Sequence, residues 1–211
     1  MWKSKLVHYH DVRAPGRRRD VVGLRECLHR PVEENGVFAH GVAARELARL
    51  RSVDSAPEIV PLLDDPAWEV RTDAARALFM LDHTGIGDQL ILRLGEPDDA
   101  VLRYIMAALA HTRDPRAVGP LAFIIAGADE PGRSDAVRAA AARALGKIRH
   151  HIAIGPLSHA LNDRSARVRL GAVKGLAAHE IAAATDALDQ YSRWRHPMTT
   201  ARARLGARRS F

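Results

Sequence analysis

The side chains best placed to do chemistry in this chain are cations at matched positions. Arg45, Arg76, Arg143 and Lys174 form one such row, with Ala107 at its single gap and Arg103 one helical turn before that gap. A guanidinium presents a planar fork of donors that fits a carboxylate or a phosphate. A row of them is the footprint of an anion-binding surface, although solvated charge on the exterior of a basic protein leaves the same pattern. Phe79 stands on the same helix face as Arg76. Little else points to a reaction. The single cysteine, Cys27, sits in an apolar stripe with Leu24 and Leu28, where no base is evident to make it a nucleophile. Gly85-Ile86-Gly87 lacks the third glycine and the lysine of a phosphate-binding loop and reads as a turn. His8 and His10 straddle Tyr9, and His150-His151 fall at a helix end. Neither pair forms a metal-ligand set. The expectation is no catalytic residue, no metal and no cofactor.

The elements that position these cations repeat. Ala43-Ala44-Arg45-Glu46-Leu47 recurs as Ala74-Ala75-Arg76-Ala77-Leu78, Ile105-Met106-Ala107-Ala108-Leu109, Ala141-Ala142-Arg143-Ala144-Leu145 and Ala172-Val173-Lys174-Gly175-Leu176. The closing leucines are spaced by 31, 31, 36 and 31 residues. Eight residues before each stands Ala39, Val70, Val101, Val137 or Val168, which is the i, i+4, i+8 spacing of a helix face. Turns containing Asp64-Asp65-Pro66, Glu96-Pro97-Asp98-Asp99 and Asn162-Asp163 precede the helices and supply capping side chains. A second apolar stretch precedes each turn. The unit is therefore a helical hairpin, and hairpins in series stack into a solenoid. The spacing predicts five hairpins over about 20–51, 55–82, 86–112, 115–149 and 152–180, with a capping helix over 183–195. The extra five residues of the fourth unit map to 127–134, either a functional loop or a tolerated surface insertion.

Composition agrees with a folded helical chain. Of 211 residues, 47% are hydrophobic, 27% charged and only 5% aromatic, so small aliphatic side chains are expected to fill the core, which argues against an aromatic-rich β-sandwich. The net charge of +7 is uneven. Residues 191–211 hold six arginines and no acid, residues 1–36 hold eight basic and five acidic residues, and 37–190 sum to −2. The expected domains are a basic N-terminal tail (1–19), the repeat solenoid (20–195) and a basic C-terminal tail (196–211). No apolar run reaches the roughly 18 residues of a membrane span, and no secretory signal opens the chain. The expectation is a cytoplasmic protein with no membrane partner.

Asp65…Val70-Arg71…Ala74-Ala75-Arg76-Ala77-Leu78 and Val137-Arg138…Ala141-Ala142-Arg143-Ala144-Leu145-Gly146 resemble short HEAT-like repeats of the phycobilisome-lyase type. The resemblance covers about residues 20–190. It implies an all-α α-solenoid whose second helices line a concave side. It also implies an Asp–Arg ladder joining neighbouring units through Asp65, Arg71, Arg138, Asp163 and Arg169. One branch of such proteins is a di-iron hydroxylase built on several His-Glu dipeptides, and this chain has one, His179-Glu180. Another attaches bilins, and no residue here singles that activity out. A third excises alkylated bases, a role for which Trp68, Phe79 and Asp73 are nominees, although Trp68 at the start of a helix reads as packing.

The reading that follows is a non-enzymatic scaffold or adaptor. A basic concave groove of Arg45, Arg76, Phe79, Arg103, Arg143 and Lys174 would take an acidic peptide or acidic protein surface. The alternative is a nucleic-acid-binding solenoid using the same row and the arginine-rich tail. A lyase-like or glycosylase-like enzyme stands third. The oligomeric state is not encoded in any of these features.

Overall fold

In a computed structural model, the structure describes Val12 and residues 20–29, 38–127, 132–179 and 182–194. The expected tails, 1–19 apart from Val12 and 196–211, lie outside the described residues, as do 128–131 of the insertion. Among the described residues every regular element is helical. The fold class is all-α, that of the α-solenoids.

Eleven helices are described: α1 Val21–His29, α2 Ala39–Arg49, α3 Ala56–Ile59, α4 Trp68–Leu81, α5 Gly87–Ile91, α6 Asp99–Thr112, α7 Val118–Ala126, α8 Asp135–Ile148, α9 Ile154–Ala160, α10 Ala166–Ala177 and α11 Ala182–Trp194. Hairpins pair α1 with α2, α3 with α4, α5 with α6, α7 with α8 and α9 with α10, and α11 follows the last. The first helices of hairpins two to five are short and open with a 3-10 turn. Proline explains part of this. Pro57 stands in the first turn of α3, where proline is tolerated, but Pro61, in the 3-10 turn Val60–Asp64 that follows, has no N–H to continue the i→i−4 ladder. The second helices carry no proline and run for 11 to 14 residues.

The chain divides into two compact units, Met1–Ala108 and Leu109–Phe211. In the first, α2 packs on both α1 and α4. In the second, α8 packs on α7 and α10, and α10 on α9 and α11. The repeat leucines Leu47, Leu78, Leu109, Leu145 and Leu176 are at most 1% exposed, and Ala39, Val70, Val101, Val137 and Val168 are fully buried. Alanine is the commonest residue in the rest of the described core, which lets neighbouring helices approach closely.

Helix ends repeat as strictly as helix faces. Arg51, Asp82, Arg113 and Arg149 all take the left-handed conformation, with φ between 53° and 56°. Each stands four residues after a repeat leucine and ends a second helix. At the other end, capping differs from the expectation. Asp98 does cap α6, accepting from Ala100 N at 2.8 Å and Val101 N at 3.0 Å. Asp65 and Asp163 instead close turns just before their helices, accepting from Ala67 N and Ser165 N at 2.8 Å. Ser134 caps α8 through Val137 N.

These turns anchor the inter-hairpin ladder. Arg71 donates to the Asp65 and Pro66 carbonyls at 3.0 and 3.1 Å, and reaches Glu96 of the next hairpin at 3.1 Å. Arg138 likewise pairs with Asp163, again 25 residues on. The acid that bridges is therefore the one in the following turn, while the hairpin's own turn supplies carbonyls. Among the described residues, Arg169 bonds only carbonyls, those of Asp163 at 2.8 Å and Arg164 at 3.0 Å. The first helices carry their own pairs, Arg25–Glu58 and Arg93–Asp64. The hydrogen bond from Arg25, helped by His29, holds the Glu58 carboxyl below its ordinary value. Water and salt screen such exposed pairs, so they add little to stability.

His179, just past α10, is 7% exposed, and its Nε2 has no hydrogen-bond partner among the described residues. Burial, and secondarily the charge of Arg149, lowers its pKa. The unfolded chain therefore binds this proton more readily than the folded one. Stability from this site is complete above about pH 6.5 and falls as pH drops through that value toward the lower folded pKa. Urea unfolding at a series of pH values should show His179→Gln losing less stability below pH 6.5 than the wild type. Parallel curves for the two proteins would contradict this.

Candidate functional site

The outward surface of each second helix can be read from its exposed positions. On α4, Val70, Ala74, Ala77, Leu78 and Leu81 face the core. Trp68, Arg76 and Met80 are exposed on the opposite side, with Thr72, Asp73 and Phe79 half-buried beside them. Thr72 donates to the Trp68 carbonyl at 2.9 Å, consistent with unbroken helix. All six cationic or aromatic residues singled out in the sequence lie on outward faces: Arg45 on α2, Arg76 and Phe79 on α4, Arg103 on α6, Arg143 on α8 and Lys174 on α10. The first four belong to one compact unit and the last two to the other.

In the first unit the row is not purely cationic. Asp73 projects from α4 toward α2, where Arg45 meets it at 3.4 Å. Gly41 makes room, since a Cβ there would come within 3.0 Å of Asp73 Oδ2. Burial raises the Asp73 carboxyl above its ordinary value, and the charges of Arg45 and Arg76 oppose that rise. Glu69 is half-buried on the same helix, and Glu46 pairs with Arg49 at 3.0 Å. Arg103 is exposed and makes no ion pair among the described residues. Phe79 stacks at a tilt on Tyr104 of α6, with ring centroids 6.3 Å apart. Trp68 is 53% exposed, which corrects the expectation that it packs.

The second unit is different. α10 carries no acid, and the only acid of α8 is Asp135 in its first turn, 3.4 Å from Arg138. The exposed positions hold Arg143 and Lys147 on α8 and Arg167 and Lys174 on α10. Lys147 and Arg167 were missed in the sequence because one register position was followed. They stand about one and two turns from the row, on the same faces. The two helices lie in backbone contact: a Cβ on Gly146 would be 2.3 Å from Gly175 Cα, and one on Gly171 would be 2.8 Å from the Ala139 oxygen. The interhelical seam is thus closer than side-chain packing permits, and the cations of both helices crowd one surface.

Beside the insertion lies a cleft of about 400 Å³, lined in part by Gly127, Gly132, Arg133, Arg138, Asp163 and Arg164. Its two most buried charges, Arg138 and Asp163, pair with each other, so its floor serves the ladder. Among the described residues no group of three or more His, Cys, Asp or Glu could hold a metal ion. No helix among them is long and apolar enough to cross a membrane.

Comparisons with known proteins agree on architecture. The family model described as HEAT repeats matches residues 87–177 and, overlapping, 121–197. No curated protein matches by sequence. Among solved structures, the complex of CpcE and CpcF of phycocyanin lyase from Nostoc sp. PCC7120 is similar, with a TM-score of 0.52 at 20% identity over 94% of this chain and 86% of that one. A designed armadillo repeat protein in complex with the peptide (KR)4 gives 0.50 at 18% identity, over 94% and 97% of the two chains. A computationally designed armadillo repeat protein for modular peptide recognition gives 0.51 at 19%, with the same coverage. At these identities the likeness is one of fold.

Proposed function

The chain belongs to the HEAT-repeat family, and from that premise we propose that it is a non-enzymatic scaffold or adaptor that binds an acidic segment or surface of a protein partner. The observation that carries this reading is the outward face of α8 and α10, with Arg143, Lys147, Arg167 and Lys174 exposed and no acid beyond the first turn of α8. Preformed helices hold these cations at little ordering cost, and carboxylates satisfy guanidinium donors in pairs. Arg45, Arg76, Arg103 and Phe79 form a second proposed surface, on the first unit, where Asp73 already occupies part of it. The designed armadillo protein of like fold is in complex with (KR)4, a chain of cations. Here the cations stand on the repeat protein, so the complementary partner is acidic.

Fluorescence anisotropy with a labelled Asp/Glu-rich peptide tests this. Arg143→Glu combined with Lys174→Glu should weaken binding roughly 10- to 100-fold, while the melting temperature stays within the small range of surface substitutions. Unchanged affinity would overturn the assignment. The alternative reading, nucleic acid on the same cations, is tested in parallel with a generic duplex. Tight duplex binding that falls steeply with salt, with no binding of the acidic peptide, would replace the protein-partner reading.

A further inference from the structure

The outward face of α4 carries something that those of α8 and α10 lack, a set of large apolar side chains beside exposed arginines. Trp68 is 53% and Met80 49% exposed, and with Arg76 between them they occupy the i, i+8 and i+12 positions of one face of α4. At 100° per residue, Trp68 and Phe79 lie on the flank nearer α6, where Phe79 meets Tyr104. Met80 and Asp73 lie on the other flank, where Asp73 meets Arg45 of α2. The outward positions of α8 and α10 offer Leu170 as their only exposed large apolar residue.

A tryptophan and a methionine left half in water on a helix whose core face is complete spend only part of their apolar area on packing the hairpin. Tryptophan, tyrosine, methionine and arginine are enriched at protein interfaces: the aromatics bring a large, stiff area, methionine an adaptable apolar one, and arginine a charged fork on an apolar stem. Arg76 and Arg103 stand exposed beside them. Carboxylates flanking an apolar side chain would meet these two cations, and the apolar side chain would meet the Trp68–Phe79–Tyr104 surface or Met80.

We propose that the α4–α6 face of the first unit is an anchor site for a partner segment in which an aromatic or long aliphatic side chain is flanked by acidic residues. This rests on the protein-partner reading above and narrows it. Taken separately, the α8–α10 face offers charge attraction that tolerates many acidic sequences, and the α4–α6 face offers discrimination.

The test uses the full chain and two labelled peptides of about twelve residues. Both are rich in Asp and Glu, and one carries a central tryptophan where the other carries serine. The tryptophan peptide should bind about 10-fold more tightly or better, as expected for one buried anchor. Trp68→Ala combined with Met80→Ala should remove that gain and leave the serine peptide's affinity unchanged. Both positions are half-exposed, so a melting curve should confirm that the variant folds. Equal affinity of the two peptides for the wild-type chain, with the arginine and lysine dependence intact, would overturn the anchor site and leave the acidic-partner reading standing. A gain that survives in the double variant would also overturn it. If neither peptide binds, the acidic-partner reading fails and the anchor site fails with it.

Discussion

Replacing Arg138 with alanine should lower the unfolding free energy by about 3–5 kcal/mol, the largest loss expected from any single substitution in the ladder. Its guanidinium is 6% exposed as a residue and does three things at once. Nε donates to the Ile125 carbonyl at 2.8 Å, Nη2 pairs with Asp163, and Nη1 lies 3.4 Å from Asp135. Gly127, at φ 64°, ends α7 and lets the arginine pass, since a Cβ there would come 3.2 Å from Nε. Alanine would leave Asp163, with 10% of its side chain exposed, to face a cavity without its counter-ion. Such a loss is a large part of the 5–15 kcal/mol typical of a folded domain. Chemical denaturation should also show a double variant, Arg138→Met with Asp163→Asn, to be more stable than Arg138→Ala, because the uncompensated charge is gone. If Arg138→Ala costs less than about 1 kcal/mol, the ladder does not join these hairpins.

The second large effect comes from adding one carbon atom. Gly146→Ala would place a Cβ 2.3 Å from Gly175 Cα and 2.7 Å from its oxygen, distances that no side-chain rearrangement can relieve. α8 and α10 would have to separate, at a cost of about 3 kcal/mol or more from overpacking, against roughly 1 kcal/mol gained in helix propensity. Gly95→Ala is the control. Nothing lies within 4 Å of a Cβ there, and stability should be unchanged or slightly higher. Thermal melts of the two variants should diverge in sign or nearly so. Equal melting temperatures would mean that the helices are not in backbone contact. Because the same contact crowds Arg143 and Lys174 onto one surface, Gly146→Ala should also weaken binding of an acidic peptide.

The two substitutions show where a sequence speaks plainly and where it does not. The repeat leucines and the valines eight residues before them were legible because a helix that buries one face must repeat at that spacing. The left-handed residues at 51, 82, 113 and 149 obey the same period but were not visible, because arginine and aspartate do not signal a positive φ as glycine does. The ladder was legible as a motif, yet its pairing was not. Asp65 and Arg71 suggested each other by proximity, whereas Arg71 reaches the carboxylate of Glu96, and at the equivalent position of α6 stands Leu102, which is fully buried. The candidate site was legible as a row of cations because they share a register. The carboxylate of Asp73 beside Arg45 was not, because it depends on how closely Gly41 lets α4 approach α2. That Lys147 and Arg167 share one surface with Arg143 and Lys174 was not legible, because it depends on the contact between α8 and α10.

We propose that an acidic partner is taken by the outward faces of the second helices. This is tested most directly by mapping where a bound peptide lies. An Asp/Glu-rich peptide carrying a photoactivatable cross-linker, incubated with the full chain and analysed by mass spectrometry after digestion, should leave its adducts on α8 and α10 around Arg143, Lys147, Arg167 and Lys174, and on α4 around Arg76. Adducts confined to residues 195–211, or to the first helices α7 and α9, would contradict the claim.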